Sequence, residues 1–147
     1  MRNLHLLVVP FVMISGSALA GTSAEFHSSL AQGYAELAKY ADIKLHDQSG
    51  QSYFQNKSDR ATADFPVDPE WPTNWTLAPT VQQAMGQERD GLIAALARLN
   101  SGADPKTEAI AQVNFDCWVA LSSIPTLQKE SARCRDAFHA AMQLLGS

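Results

Sequence analysis

Two stretches, Ala111-Gln112-Val113-Asn114-Phe115-Asp116-Cys117-Trp118 and Ala132-Arg133-Cys134-Arg135-Asp136-Ala137-Phe138, decide how this chain folds. Between them stands Ile124-Pro125-Thr126. Proline lacks an amide proton and its ring clashes with the preceding turn, so a helix breaks there. Upstream, Asp104-Pro105 has the form of an N-cap followed by proline at the first helical position. Ile110, Val113, Cys117 and Leu121 then recur on one helical face, broadened by Ala111, Phe115 and Trp118, which predicts the most buried helix of the chain. From about Thr126, Leu127, Cys134, Phe138, Ala141 and Leu145 form a second stripe, with Met142 beside it. The two segments predict a helical hairpin. Cys117 lies eight residues before Pro125 and Cys134 nine after it, so antiparallel helices bring the two thiols level. With the export signal described below, this predicts a disulfide between Cys117 and Cys134; two free buried thiols are the alternative.

Working outward, another helix is predicted from Thr80, where Thr80-Val81-Gln82-Gln83 has capping-box spacing. Its stripe is Met85, Leu92, Ile93, Leu96 and Leu99, and Asn100-Ser101-Gly102 stops it. A further helix is predicted over Ala24 to Leu45, where Phe26, Leu30, Tyr34, Leu37, Ala41 and Leu45 recur at three- and four-residue steps. Gly33 on that helix offers a place for close helix contact. Residues 46–79 are ambiguous. Gln51 to Ala63 is compatible with a shorter helix, whereas Phe65-Pro66-Val67-Asp68-Pro69-Glu70-Trp71-Pro72 is too rich in proline for a helix or a central strand. The expectation is a loop running over the helices with Trp71, Trp75 and Leu77 pinned against them. The predicted fold is all-α: a small bundle of four to five helices, a C-terminal disulfide-linked hairpin and a Pro/Trp-rich loop.

Met1 to Ala20 reads as a secretory signal: Arg2, an apolar run from Leu4 to Ile14, and small residues at Ala18-Leu19-Ala20. Cleavage is expected before Gly21, with a cut after Ala24 or an uncleaved anchor as alternatives. The apolar run is short for a spanning helix, which needs about 20 apolar residues. Residues 21–147 are then a single helical domain, periplasmic or secreted, with no membrane insertion after cleavage. The whole chain carries a net charge of −4, and loss of Arg2 makes it more negative, which argues against nucleic acid as a partner.

No pattern names a reaction. The chain lacks a nucleophile elbow, a phosphate-binding glycine loop, a C-x-x-C redox motif, and any histidine or cysteine spacing of a metal site. No cofactor or metal is expected. His27 and His139 read as helix-edge residues, Asp68 and Glu70 as solvated loop charges, and Asp116, Arg133, Arg135 and Asp136 as surface charges that orient the hairpin. Trp71 and Trp75, on a proline-stiffened segment, are the candidates for partner binding.

The cysteine motifs also carry a resemblance. Phe115-Asp116-Cys117-Trp118 followed by Cys134-Arg135-Asp136-Ala137-Phe138 resembles the N-terminal helical region of OmpA-family envelope proteins of alphaproteobacteria. There it precedes an OmpA-like peptidoglycan-binding domain. The similarity extends to Glu25-Phe26-His27, to Leu30 through Ala38, and to Asp68-Pro69 with Asn74-Trp75-Thr76-Leu77. It implies a place on the periplasmic face of the envelope, and with no reaction motif in the chain the expected function is a non-enzymatic domain acting through contact with an envelope protein. The sequence stops at Ser147, before the position of the OmpA-like domain, so peptidoglycan contact is expected only indirectly. Leu19-Ala20-Gly21-Thr22 has threonine where relatives often carry a lipidated cysteine, so no lipid anchor is expected. The other readings left open are a cell-wall hydrolase or modifier, and a periplasmic small-ligand binder using Trp71, Trp75 and Trp118.

Overall fold

A computed structural model describes residues 17–98 and 102–146, with side chains from residue 23 onward. Most of the expected signal segment therefore lies outside the described residues. The described residues are helical, with no strands. Helix α1 spans Ser17–Tyr40 and ends in a π-helical turn, Ala41–Leu45. His46 takes a left-handed conformation there (φ 53°), and the Asp47 N–H donates to the Ala41 carbonyl. Asp47 then caps α2 (Gln48–Thr62), accepting from the Gly50 N–H at 3.0 Å. The ambiguous Gln51–Ala63 segment is thus a helix, and α2 begins three residues earlier. It closes at Asp64, also left-handed (φ 56°), where the Phe65 N–H donates to the Arg60 carbonyl. Aspartate tolerates this conformation better than most residues.

The next stretch is irregular except for one 3₁₀ turn at Pro72–Asn74. Helix α3 follows at Pro79–Leu96. Its N-cap is Ala78, without a side-chain cap, and Pro79 occupies the first turn. This corrects the capping box expected at Thr80: a proline with preset φ starts the helix by itself. Helix α4, Pro105–Ser122, starts as the sequence predicts, with Asp104 accepting from the Lys106 and Thr107 amides. A 3₁₀ turn at Pro125–Leu127 leads into α5, Gln128–Leu145.

Helix α4 is the centre of the fold. Helix α1 runs parallel along one side, as the Glu25–Lys106 and Tyr34–Asp116 contacts show. Helix α5 returns antiparallel on the other side, and α2 packs along α1 with side chains such as Lys57 and Phe54 reaching towards α4. Helix α3 lies over α4 and α5, with Glu88 reaching His139. Two apolar cores result. One joins Phe26, Leu30, Tyr34 and Phe54 to Ala109 and Val113. The other joins Met85 and Leu92 to Phe115, Val119 and Phe138. Gly33 does serve close packing: a Cβ there would stand 2.8 Å from Val113 Cγ2. Cys117 and Cys134 are disulfide-bonded, with Cα atoms 5.8 Å apart.

Two residues assigned to apolar stripes face outward instead. Ile110 is 51% exposed and Ile93 is 40% exposed. On each helix the inward position is taken by a polar side chain: Gln112 and Asp116 on α4, and Arg89 on α3. Leu99 lies outside the described residues. Among the described residues no helix is long and apolar enough to cross a membrane.

Candidate functional site

Helix α4 buries three polar side chains one turn apart, Glu108, Gln112 and Asp116. At a spacing of four residues they form one stripe along the helix. Asp116 is the hub. Its Oδ2 accepts from the Tyr34 hydroxyl and from the Lys57 ammonium, each at 2.5 Å, and its Oδ1 accepts from the Glu70 N–H at 2.8 Å. Lys57 Nζ lies 2.5 Å from Glu70 Oε1 as well and donates to the Asp68 carbonyl at 3.2 Å. Glu70 Oε2 accepts from the Trp75 indole N–H at 3.0 Å, and the Tyr53 hydroxyl lies beside the same carboxylate. Gln112 donates to the Val67 carbonyl at 2.6 Å and to the Tyr34 hydroxyl at 3.2 Å. Side chains from α2 and α4 therefore meet the backbone of the irregular segment at Val67, Asp68 and Glu70, and Tyr34 of α1 braces Asp116 and Gln112.

Helix α3 holds the same segment from its other side. Arg89 Nε donates to the carbonyls of Pro69 and Glu70, and its guanidinium stacks 3.5 Å from the centroid of the Trp71 ring. Residues 63–78 act as a strap, pinned by charge from beneath and by arginine from α3.

Burial penalises every charge in this cluster, and the cluster answers unevenly. Burial raises the Asp116 carboxyl above its ordinary range, with the Lys57 ammonium pulling the other way. At Glu70 burial also pushes upward, but Lys57 and the Tyr53 and Trp75 hydrogen bonds outweigh it, so this carboxyl titrates below its ordinary range. At Lys57 desolvation works against the charge, and the two carboxylates overcome it, lifting the ammonium above its usual value. Tyr34 and Tyr53 are pushed upward by burial and by the neighbouring carboxylates, so both stay neutral donors.

The two tryptophans singled out from sequence share the strap and face different surroundings. Trp71 is 55% exposed, with one ring face on Arg89 and much of the rest in solvent. It is therefore less pinned than expected, because its stacking partner covers only one side. Trp75 is half-buried, edge-on to Tyr53 at 5.5 Å. Phe65, at the start of the strap, is 58% exposed and lies near the Arg60 guanidinium.

Asp116 and Glu70 correct the sequence reading. Asp116 is fully buried rather than a surface charge, and Glu70 is paired rather than solvated. Of the charges flanking the cysteines, Arg135 and Asp136 do form an exposed pair. His27 pairs with Asp64 at 3.0 Å, tying α1 to the end of α2. Lys57, Arg89, Gln112 and Glu108 were not anticipated. Glu108 is fully buried with neither oxygen hydrogen-bonded. Burial and nearby Asp104 push its carboxyl up to about 7, with Arg98 pulling downward. Among the described residues no group of histidine, cysteine, aspartate or glutamate side chains could hold a metal ion.

An open surface recess of about 640 Å³ lies between the start of α3 and the α4–α5 hairpin, with Leu77, Val81, Met85 and Trp118 among its walls. The charge cluster does not line it. No protein-family model, curated protein or solved structure matches the chain.

Proposed function

We propose that this chain is an exported, non-enzymatic helical domain that works by protein–protein contact in the bacterial cell envelope, on its periplasmic side. The partner surface centres on Trp71. One observation carries the reading: a large aromatic ring stands more than half exposed on a strap whose backbone is anchored by buried charges. Trapped, preorganised tryptophans are typical anchors of interfaces, because little ordering entropy is lost when they dock. Trp75 supports the strap from behind rather than offering its ring outward.

The envelope setting rests on the signal-like N-terminus and the resemblance to OmpA-family N-terminal regions. The disulfide suits an oxidising compartment. Threonine at position 22 leaves no cysteine for lipidation, so the proposal includes no lipid anchor.

Capture of partners from intact envelopes tests the reading. Trp71→Ala should lower capture by roughly ten-fold or more, the scale of a truncated hot spot, while circular dichroism keeps its helical spectrum. Undiminished capture would remove Trp71 from the interface. Loss of capture together with loss of helix would make the ring a structural element.

A further inference from the structure

A second concave site lies beside Trp75. Its walls are Tyr53 and Phe54 of α2, Trp75 of the strap, Ala120 and Leu121 at the end of α4, and Ile124 of the turn, enclosing about 320 Å³. The two polar ends in this wall are already engaged. The Trp75 indole N–H donates to Glu70, and the Tyr53 hydroxyl is turned towards the same carboxylate. What remains for a ligand is ring and alkyl carbon. The volume is at the small end for ligand sites, enough for one compact ring or branched alkyl group.

The rim is polar, formed by Asp47, Ser49 and Gly50 at the start of α2. Asp47 is its only ionisable side chain besides Tyr53. One Asp47 oxygen caps Gly50, and the other accepts no hydrogen bond among the described residues. The full negative charge of Asp47 outweighs the roughly half-unit positive charge of the helix start, so a second anion is disfavoured there and a cation is favoured.

We propose that this recess binds a small aromatic or branched-alkyl amine, with the apolar group between Tyr53, Phe54 and Trp75 and the ammonium at Asp47. The proposal is independent of the Trp71 surface, which lies on the Arg89 side of the strap.

The test titrates the protein with benzylamine and, separately, with benzoate. Trp75 indole and Ser49 and Gly50 amide signals are followed by two-dimensional NMR. Saturable shifts at those positions are expected with benzylamine, and binding up to about five-fold weaker with benzoate, the scale of one charge contact at a partly exposed site. Asp47→Asn keeps a good helix cap and should bring the two ligands close to equal affinity. Ala120→Leu should fill the recess and abolish the shifts while the helical spectrum persists. If that variant does not fold, Ile124→Trp closes the mouth from the turn and should do the same. Trp71→Ala should leave benzylamine binding unchanged. Absence of saturable benzylamine shifts overturns the site. Equal binding of the two probes, or an Asp47→Asn variant that still prefers the amine, overturns the charge assignment.

Discussion

The α4–α5 hairpin and the strap of residues 63–78 are both fixed to the same helix, by opposite means. The hairpin is held by a covalent bond between Cys117 and Cys134 and by stacked apolar residues such as Phe115 and Phe138. The strap has no regular structure beyond one 3₁₀ turn, and it is held by ions and hydrogen bonds. Its anchors are Asp116, Lys57, Gln112 and Arg89, from three different helices. The difference is one of specificity. Apolar packing and a disulfide make a hairpin stable without fixing much else. Buried charges add little net stability over an apolar core of the same shape, yet they heavily penalise any arrangement that leaves them unpaired. A proline-rich segment with few backbone partners of its own needs that kind of restraint to hold one conformation.

The sharpest way to break the comparison is to remove the cation. Lys57→Met leaves Asp116 and Glu70 buried against each other, and should cost about 3–5 kcal/mol, the range for an orphaned buried charge. Urea unfolding followed by circular dichroism measures it. Lys57→Met combined with Asp116→Leu should recover part of that loss. A pair of independent, additive effects would show that the cluster is not a unit.

Reducing the disulfide comes next. The Cys117→Ala/Cys134→Ala variant should lose about 3 kcal/mol through greater freedom of the unfolded chain, lowering Tm by roughly 10 °C. The strap should be unaffected, so the Trp71 and Trp75 fluorescence of the folded state should be retained.

The pH dependence combines carboxyls with opposite shifts: Glu108 is raised, as is Asp116, whereas Glu70 is lowered. Glu108 has its folded pKa raised to about 7, so its contribution is fully present below its unfolded value and is lost as pH rises through 7. Glu70 has its folded pKa depressed, so its contribution is present above the unfolded value and is lost as pH falls through the folded one. Stability should peak in mildly acidic solution and decline towards pH 8 by on the order of 2 kcal/mol. Glu108→Gln should reduce the decline above pH 5 and leave the acid limb in place. Chemical unfolding across pH 3–9 separates the two limbs.

The smallest effect concerns α1 against α4. Gly33→Ala gains helix propensity but drives a methyl group into Val113, so a net loss of about 1 kcal/mol is expected. Adding Val113→Ala should relieve the clash, and a thermal melt of the two variants measures both.

The hairpin was legible because its information is local. A proline break, two apolar stripes and two cysteines equidistant from the turn specify it within about forty residues of sequence. The start of α4 was legible for the same reason, since Asp104-Pro105 needs no distant partner. The strap was not. Lys57, Glu70 and Asp116 are far apart in sequence, and each alone reads as a surface charge. One signal was available. Glu108, Gln112 and Asp116 recur every fourth residue on a helix otherwise rich in alanine and valine, and a helix apolar on most sides must bury its polar stripe too. Ile110 illustrates the converse: an apolar side chain was assigned inward, while the inward positions belonged to Gln112 and Asp116.

The central claim is that buried charge, rather than the disulfide, holds the strap. The amide of Glu70, which donates to Asp116, reports on it directly. Hydrogen exchange at that amide should be slow in the native protein and stay slow, relative to global stability, in the Cys117→Ala/Cys134→Ala variant. In Lys57→Met it should exchange through local opening, well before the α4 core amides. Equal protection of Glu70 in Lys57→Met and in the native protein, or its loss only on removing the disulfide, would contradict the account.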